Sequence, residues 1–330
     1  MDLRSDTVTR PTAAMRTAMA EAEVGDDGYR EDPTVRRLEA AFAARVGKPA
    51  ALFVPSGTMS NQIALRLLGR PGTLVICGAR QHIVRHEAAA AGMNAAVQLQ
   101  PVTDIDGVLD PDQVDHAIRG ADHHLPSVSA IAIENTHMAA GGAVWPEEPL
   151  RALTATHLPV HLDGARLFNA EVASGVSAAD LADGATTVTC CLSKGLGAPV
   201  GSVLAGPNDL IDQARVERKR LGGGMRQAGV IAAAGLVALD DMVSRLAEDH
   251  GRARRLAEAV ADRFDAIDPA TVRTNAVIFA PTDAARLIAH LEEAGVRAGT
   301  SSPGRVRLMT HLDVDDAGID RACAAMARCP

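Results

Sequence analysis

PVHLDGARLFNA, residues 159–170, and TTVTCCLSKGLGAPVGS, residues 186–202, decide how this chain is read. Each segment begins as a short apolar run of strand type and passes directly into polar and small residues. Asp163 and Arg166 therefore follow one strand, and Ser193 and Lys194 follow another. Cys190 and Cys191 are consecutive within the second strand, so their side chains face opposite sides of the sheet.

The same strand-then-polar pattern recurs upstream. ALFVP (51–55) runs into SGTMSN (56–61) and the apolar helix QIALRLL (62–68). TLVIC (73–77) leads to ARQHIVRHEAAAAG (79–92), and AIAIENTH (130–137) has a polar exit. Helices open at Asp32-Pro33, where Val35, Leu38, Phe42 and Val46 mark one face before Gly47, at Asp110-Pro111, and between Pro146 and Pro149. Strands alternating with helices predict an α/β fold with a large, mostly parallel sheet covered on both faces. Ligands gather at the carboxyl ends of such strands, where SGT, His82, ENTH, Asp163, Arg166 and Lys194 fall.

Beyond this core, residues 226–264 read as helical with a break near His250-Gly251. AVIFA (276–280), a helix over 283–293, RVRLM (305–309) and a last helix from Asp315 predict a smaller C-terminal α/β domain. The expected division is an arm over 1–15 contributing to the active site, a large domain over 16–245 and a small one over 246–330.

Composition narrows the class of partner. The 330 residues are 47% hydrophobic and 22% charged, as in ordinary globular proteins, and 2% aromatic, which leaves few platforms for stacking nucleic-acid bases. A net charge of −8 disfavours non-specific attraction to nucleic acid or anionic lipid. Without an apolar signal core or a bilayer-length run, the expected location is cytoplasmic, with neither membrane nor nucleic acid as partner. Five cysteines with no CxxC spacing read as reduced thiols.

A lysine in a loop is ordinarily solvated. Lys194 has unusual company: a carboxylate at a neighbouring strand end and a small-residue turn upstream. An amine and a carboxylate so placed can hold a pyridine cofactor, the amine condensing with an aldehyde and the carboxylate keeping the ring nitrogen protonated. Asp163 reads either as this partner or as a turn cap. Arg166, three residues on, suits a carboxylate or a phenolic oxygen, or else a surface ion pair. SGTMSN is either an anion site at a helix N-terminus, with Thr58 and Ser60 hydroxyls as added donors, or a capping turn. His82 and His86 share a helical face, but with no third ligand in sight no metal is expected. RKRLGGGMRQ (218–227) joins three cations to three glycines, a backbone suited to approaching a phosphate, its own or a neighbouring subunit's.

LRSDTVTRPT, DDGYREDPTV, SGTMSN, QHIVRHEA, ENTH, HLDGARLFNA, SKGLGAPVGS, RKRLGGGMRQAG and RVRLMTH, in this order and spacing over residues 2–312, resemble the PLP-dependent L-threonine aldolases, of fold type I, the aspartate-aminotransferase-like fold. The resemblance implies pyridoxal 5′-phosphate as cofactor and cleavage of β-hydroxy-α-amino acids to glycine and an aldehyde. It implies Lys194 as the Schiff-base lysine, Asp163 as the pyridinium partner, and Gly57 and Thr58 as the phosphate-binding pair, with Lys219 reaching the phosphate from a neighbouring subunit. It implies His82 as the residue stacked on the ring, and Ser5, Arg166 and Arg307 as the grip on the substrate carboxylate. Tyr29 and His137 fall where the family lines its substrate pocket. His82, or less directly His137, is the implied base, and the implied assembly is at least a dimer with shared sites, expected as a tetramer. The chain departs from the family at Arg30, where glycine is common, at His86, and in MAAGG (138–142). A β-eliminating lyase, an aminotransferase or a non-catalytic binding protein are the rival expectations, the first two separated from an aldolase by their products.

Overall fold

The computed structural model describes residues 1–329, apart from the side chains of Glu147, Pro149 and Arg151. Seven strands form the main sheet: β1 (Ala50–Val54), β2 (Leu74–Gly78), β3 (Gln98–Val102), β4 (Val128–Glu134), β5 (Val160–Asp163), β6 (Thr187–Cys191) and β7 (Ser202–Gly206). Their order is β1-β7-β6-β5-β4-β2-β3. The run from β6 to β3 is parallel, and β7 lies antiparallel to both its neighbours. The sheet is thus mostly parallel, as the sequence predicts. β2, β4, β5 and β6 are buried along their whole length, which is why they read as unbroken apolar runs.

The helices begin where capping chemistry puts them. Asp32, Asp110, Asp283 and Asp315 each accept a backbone N–H from the first turn of the helix they precede. The long helical stretch breaks elsewhere than expected. It divides into Gly229–Asp241 and Leu246–Phe264, and the second helix runs through His250 and Gly251 unbroken. The first of the pair packs closely on the main sheet's loops: a Cβ on Gly235 would stand 2.8 Å from Leu192 and 2.9 Å from Leu38. Its small side chains permit that approach beside the Lys194 loop.

A second sheet holds β8 (Ala276–Phe279), β9 (Gly299–Ser302) and β10 (Arg305–Met309) in the antiparallel order β8-β10-β9. It shares a separate apolar core with the helices Leu246–Phe264 and Asp316–Ala327. Pro330, the last residue of the expected small domain, lies outside the described residues. Leu3 belongs to this second core and is fully buried, worth roughly 2 kcal/mol of apolar burial. Its backbone bonds to Arg297 and Met309 at 2.8 Å each. Anchored there, the N-terminal segment enters the cleft between the two sheets as a 3-10 turn, Asp6–Val8, capped by Ser5.

Candidate active site

One cavity of about 640 Å³ opens at the carboxyl ends of the parallel strands. Ser5, Gly57, Thr58, His82, Asp163, Arg166, Lys194 and Arg307 all line it. The topology explains this convergence: β1, β2, β4, β5 and β6 point the same way, so the loops leaving them meet on one edge. Tyr29, His137 and Lys219 are not on its wall.

Lys194 is the one lysine of the chain's three to line the cavity. Its loop is tied to the N-terminal turn by Thr9, whose hydroxyl donates to the Lys194 carbonyl at 3.0 Å. Asp163 ends β5, 5% exposed, beside Glu134 at the end of β4. Its Oδ1 accepts from the Ala165 N–H at 3.1 Å and its Oδ2 from the Asn61 amide at 2.7 Å. Burial pushes the Glu134 carboxyl upward from the usual range, against the pull of His137.

The helix Gly57–Leu68 begins at the cavity floor, and its first N–H groups have no acceptor within the helix. A Cβ on Gly57 would stand 2.7 Å from Cys191 Sγ, so glycine lets the start of this helix lie close against β6. Ser202 Oγ, 3.6 Å from that hypothetical Cβ, is buried with no hydrogen-bond partner among the described residues. Ser60 differs from expectation. Its hydroxyl is buried against Thr189 Oγ1 at 2.7 Å and does not join the floor. A lysine amine, a buried carboxylate, and a helix N-terminus with an orphaned hydroxyl nearby fit an aldehyde, a ring nitrogen and a phosphate respectively. The residues present thus fit pyridoxal phosphate.

At the other end of the cavity, Arg166 donates from Nε and Nη2 to both oxygens of Asp6, at 2.7 and 2.6 Å. Burial alone would raise the Asp6 carboxyl, yet Arg166 beside it holds it down to about 2. The pair leaves Arg166 Nη1 as the nitrogen available to a bound anion. Arg307 donates to the Arg4 carbonyl at 3.2 and 3.0 Å, and burial together with nearby Arg166 lowers its proton affinity. Arg85, His86 and Met138 also face the cavity.

His82 stands on the short helix His82–Arg85, its ring 5.5 Å from that of His86. Its Nδ1 meets Glu87 at 2.8 Å. This hydrogen bond raises its proton affinity, burial opposes it, and Asp163 adds to it. His82, Glu87 and Asp163 offer ligand-type atoms within 4.8 Å of one another, and hydrogen bonds through Asn61 already link them.

His137 is fully buried away from the cavity. Its Nε2 bonds Asp104 at 2.9 Å and its Nδ1 accepts from the Ala140 N–H at 3.2 Å, so it caps the turn that follows. Tyr29 is 76% exposed on the surface, and Lys219 is exposed too. The two motifs carrying them do meet, since Asp27 pairs with Arg218 at 2.6 Å and Asp26 approaches Arg226 at 3.6 Å. Arg30, where glycine is common in the family, adopts a left-handed φ of 61° and pairs with Asp212 at 2.6 Å. Sequence reading missed Asp6, Asn61, Glu87 and Glu134. The SDT string drew attention to the arm, but nothing signalled that Asp6 would meet Arg166 across 160 positions.

A lysine, a buried aspartate and a helix N-terminus on the carboxyl edge of one mostly parallel sheet define an α/β enzyme of the aspartate-aminotransferase-like class. The beta-eliminating lyase family matches residues 2–284, and the chain belongs to that family. It is 43% identical to low-specificity L-threonine aldolase 1 of Arabidopsis thaliana, covering 95% of this chain and 92% of that protein. It is 48% identical to an uncharacterized protein of Caenorhabditis elegans over 79% of this chain, and spans 65% of that protein's length. Among solved structures, the threonine aldolase of Leishmania major shares the fold with a TM-score of 0.85, at 22% identity over 99% of this chain and 98% of that one.

Proposed function

We propose that this chain cleaves the Cα–Cβ bond of L-threonine, L-allo-threonine and related β-hydroxy-α-amino acids, giving glycine and an aldehyde with pyridoxal 5′-phosphate as cofactor. The observation that carries this reading is the shared cavity: the groups that fit the cofactor, Lys194 and Asp163, open onto the same space as Ser5, Arg166 and Arg307, which suit an α-carboxylate. Relatives of 41–43% identity over 95% or more of this chain bear the name low-specificity L-threonine aldolase.

When bound, the cofactor supplies an aldehyde for an amine and a protonated ring that accepts electrons released from Cα. Lys194 would provide the amine that holds it, Asp163 would pair with its ring nitrogen, and Gly57 and Thr58 would hold its phosphate. Ser5, Arg166 Nη1 and Arg307 would fix the substrate carboxylate, and holding it orients the Cα–Cβ bond and so selects the bond that breaks. His82 accepts the β-hydroxyl proton at Nε2. The aldehyde departs, and protonation at Cα completes glycine.

Tyr29 and Lys219, exposed on one face of the chain, fit residues that complete a neighbouring copy's cavity; this reading makes the protein at least a dimer, and by family likeness a tetramer. Cys77, Cys190, Cys191 and Cys323 are free thiols, which suits a reducing, cytoplasmic setting. Among the described residues no helix is long and apolar enough to cross a membrane.

Incubation with each threonine diastereomer, with glycine and acetaldehyde measured together, tests the reaction. Equimolar release is the expected result; ammonia with a keto acid would instead mark a β-eliminating lyase, as the family's description allows. Lys194→Ala should abolish turnover, and full aldolase activity in that variant would sink the assignment.

A further inference from the structure

Behind the cavity wall lies a carboxylate that the proposed chemistry leaves unused. Glu87 is 3% exposed and follows the helix that carries His82. Its Oε1 meets His82 Nδ1 at 2.8 Å and accepts from Asn61 Nδ2 at 2.9 Å, while its Oε2 accepts from Gln62 Nε2 at 2.7 Å. The second Asn61 amide hydrogen goes to Asp163 Oδ2, and Asn61 Oδ1 faces His161 Nε2 at 3.1 Å. This pattern settles the amide's orientation, because the reverse would set its oxygen against two carboxylates. One buried network therefore joins His82 to Asp163.

The backbone gives a second observation. Ala88 and Ala89, immediately after Glu87, have φ of 52° and 59°. The left-handed region costs a residue with a Cβ about 1–2 kcal/mol. Two such residues in succession bend the chain so that the Ala90 N–H reaches the Glu87 carbonyl at 2.9 Å. Strain of this kind persists where surrounding structure over-determines the conformation, and here it accompanies a carboxylate turned inward.

We propose that Glu87 is the positioning residue of His82: its carboxylate takes the Nδ1–H hydrogen bond, fixes the imidazole in that tautomer, and leaves Nε2 as the basic nitrogen facing the substrate. The inference rests on the reading of His82 as the base. The charged and titratable groups around the ring are Glu87, Asp163 from β5, Lys194 after β6 and His86 on its own segment, with Glu134 from β4 accepting the His82 backbone N–H at 2.6 Å. The Glu87 bond favours the charged imidazole, so His82 becomes a stronger base and requires a higher pH to be neutral.

Glu87→Gln keeps an acceptor and removes the charge. In the cofactor-loaded enzyme kcat with threonine falls about tenfold, a part of what general-base catalysis contributes, and the acid limb of kcat/KM moves to lower pH. The His82 imidazole titration followed by NMR moves the same way. Glu87→Asp, which keeps the charge, leaves the limb near its wild-type position. In a His82→Asn background Glu87→Gln has no further effect on kcat, because Glu87 acts through the ring. A Glu87→Gln profile superimposed on wild type, or a Glu87→Gln loss undiminished in the His82→Asn background, overturns the proposal. Wild-type kcat in His82→Asn alone refutes the reading of His82 as base, a result distinct from either of these.

Discussion

His82 and His137 each follow a parallel strand, and each meets a buried carboxylate: Glu87 at 2.8 Å for the first, Asp104 at 2.9 Å for the second. By sequence both are candidates for a base, His82 ahead of His137. In the fold they differ by one nitrogen. His137 spends both, on Asp104 and on the Ala140 N–H, inside a wall with no exposure. His82 spends Nδ1 alone, and its side chain, 39% exposed, lines the cavity. A carboxylate partner therefore does not make a histidine a base; a nitrogen left over and facing the substrate does.

The largest expected effect comes from removing the histidine with the free nitrogen. His82→Asn should lower kcat by about 10²-fold or more, the usual contribution of general acid–base catalysis, with little change in Tm. Steady-state kinetics on the cofactor-loaded variant checks this, and a change confined to cofactor affinity would reduce His82 to a stacking residue. His137→Gln should reverse the pattern. Losing a buried hydrogen bond to a charged group costs about 2 kcal/mol, seen as a lower Tm, while kcat falls far less than for His82. If His137→Gln cost as much in kcat as His82→Asn at unchanged Tm, the distinction drawn from their free nitrogens would fail.

The same contrast shows what was legible in the sequence. Local signals survived well: the Asp-Pro starts, the apolar runs of β2, β4, β5 and β6, and the polar residues at their exits depend on neighbours a few positions away. β3 and β9 were not foreseen. QLQPV and GTSS are polar, their side chains are mostly half-buried or exposed, and the proline in β3 is tolerated because that strand lies at the sheet edge. The helix break fell at residues 242–245 and not at Gly251, which has open space around it and forces nothing. Lys194 and Asp163 could be found because each announces its own chemistry at a strand end. Asn61 and Asp6 could not, since their roles come from partners 26 to 160 positions away, and Glu87 could not because only the backbone turn after it brings its carboxylate inward to His82.

A third histidine sharpens the comparison at the smallest scale. His161 lies beneath Asn61, bonded through Nε2 to the Asn61 carbonyl oxygen and through Nδ1 to Thr187 Oγ1 at 2.9 Å. It has neither a free nitrogen nor a bonded carboxylate, and burial depresses its proton affinity to about 4, though Asp163 pulls the other way. The unfolded chain binds that proton near pH 6.5, so the folded state is fully favoured above this value and loses stability as pH falls toward 4. Between pH 7 and pH 5.5 the loss is about 1 kcal/mol for one such group. His250, half-buried and likewise held to about 4, adds a similar amount. His161→Gln should therefore remove about half of the drop in unfolding free energy that these two groups cause over that interval, measured by urea titration at both pH values. His161 donates its Nε2–H to Asn61, which in turn holds Glu87 and Asp163. An unchanged pH slope in the variant would mean that burial does not keep His161 neutral in the folded enzyme over this interval.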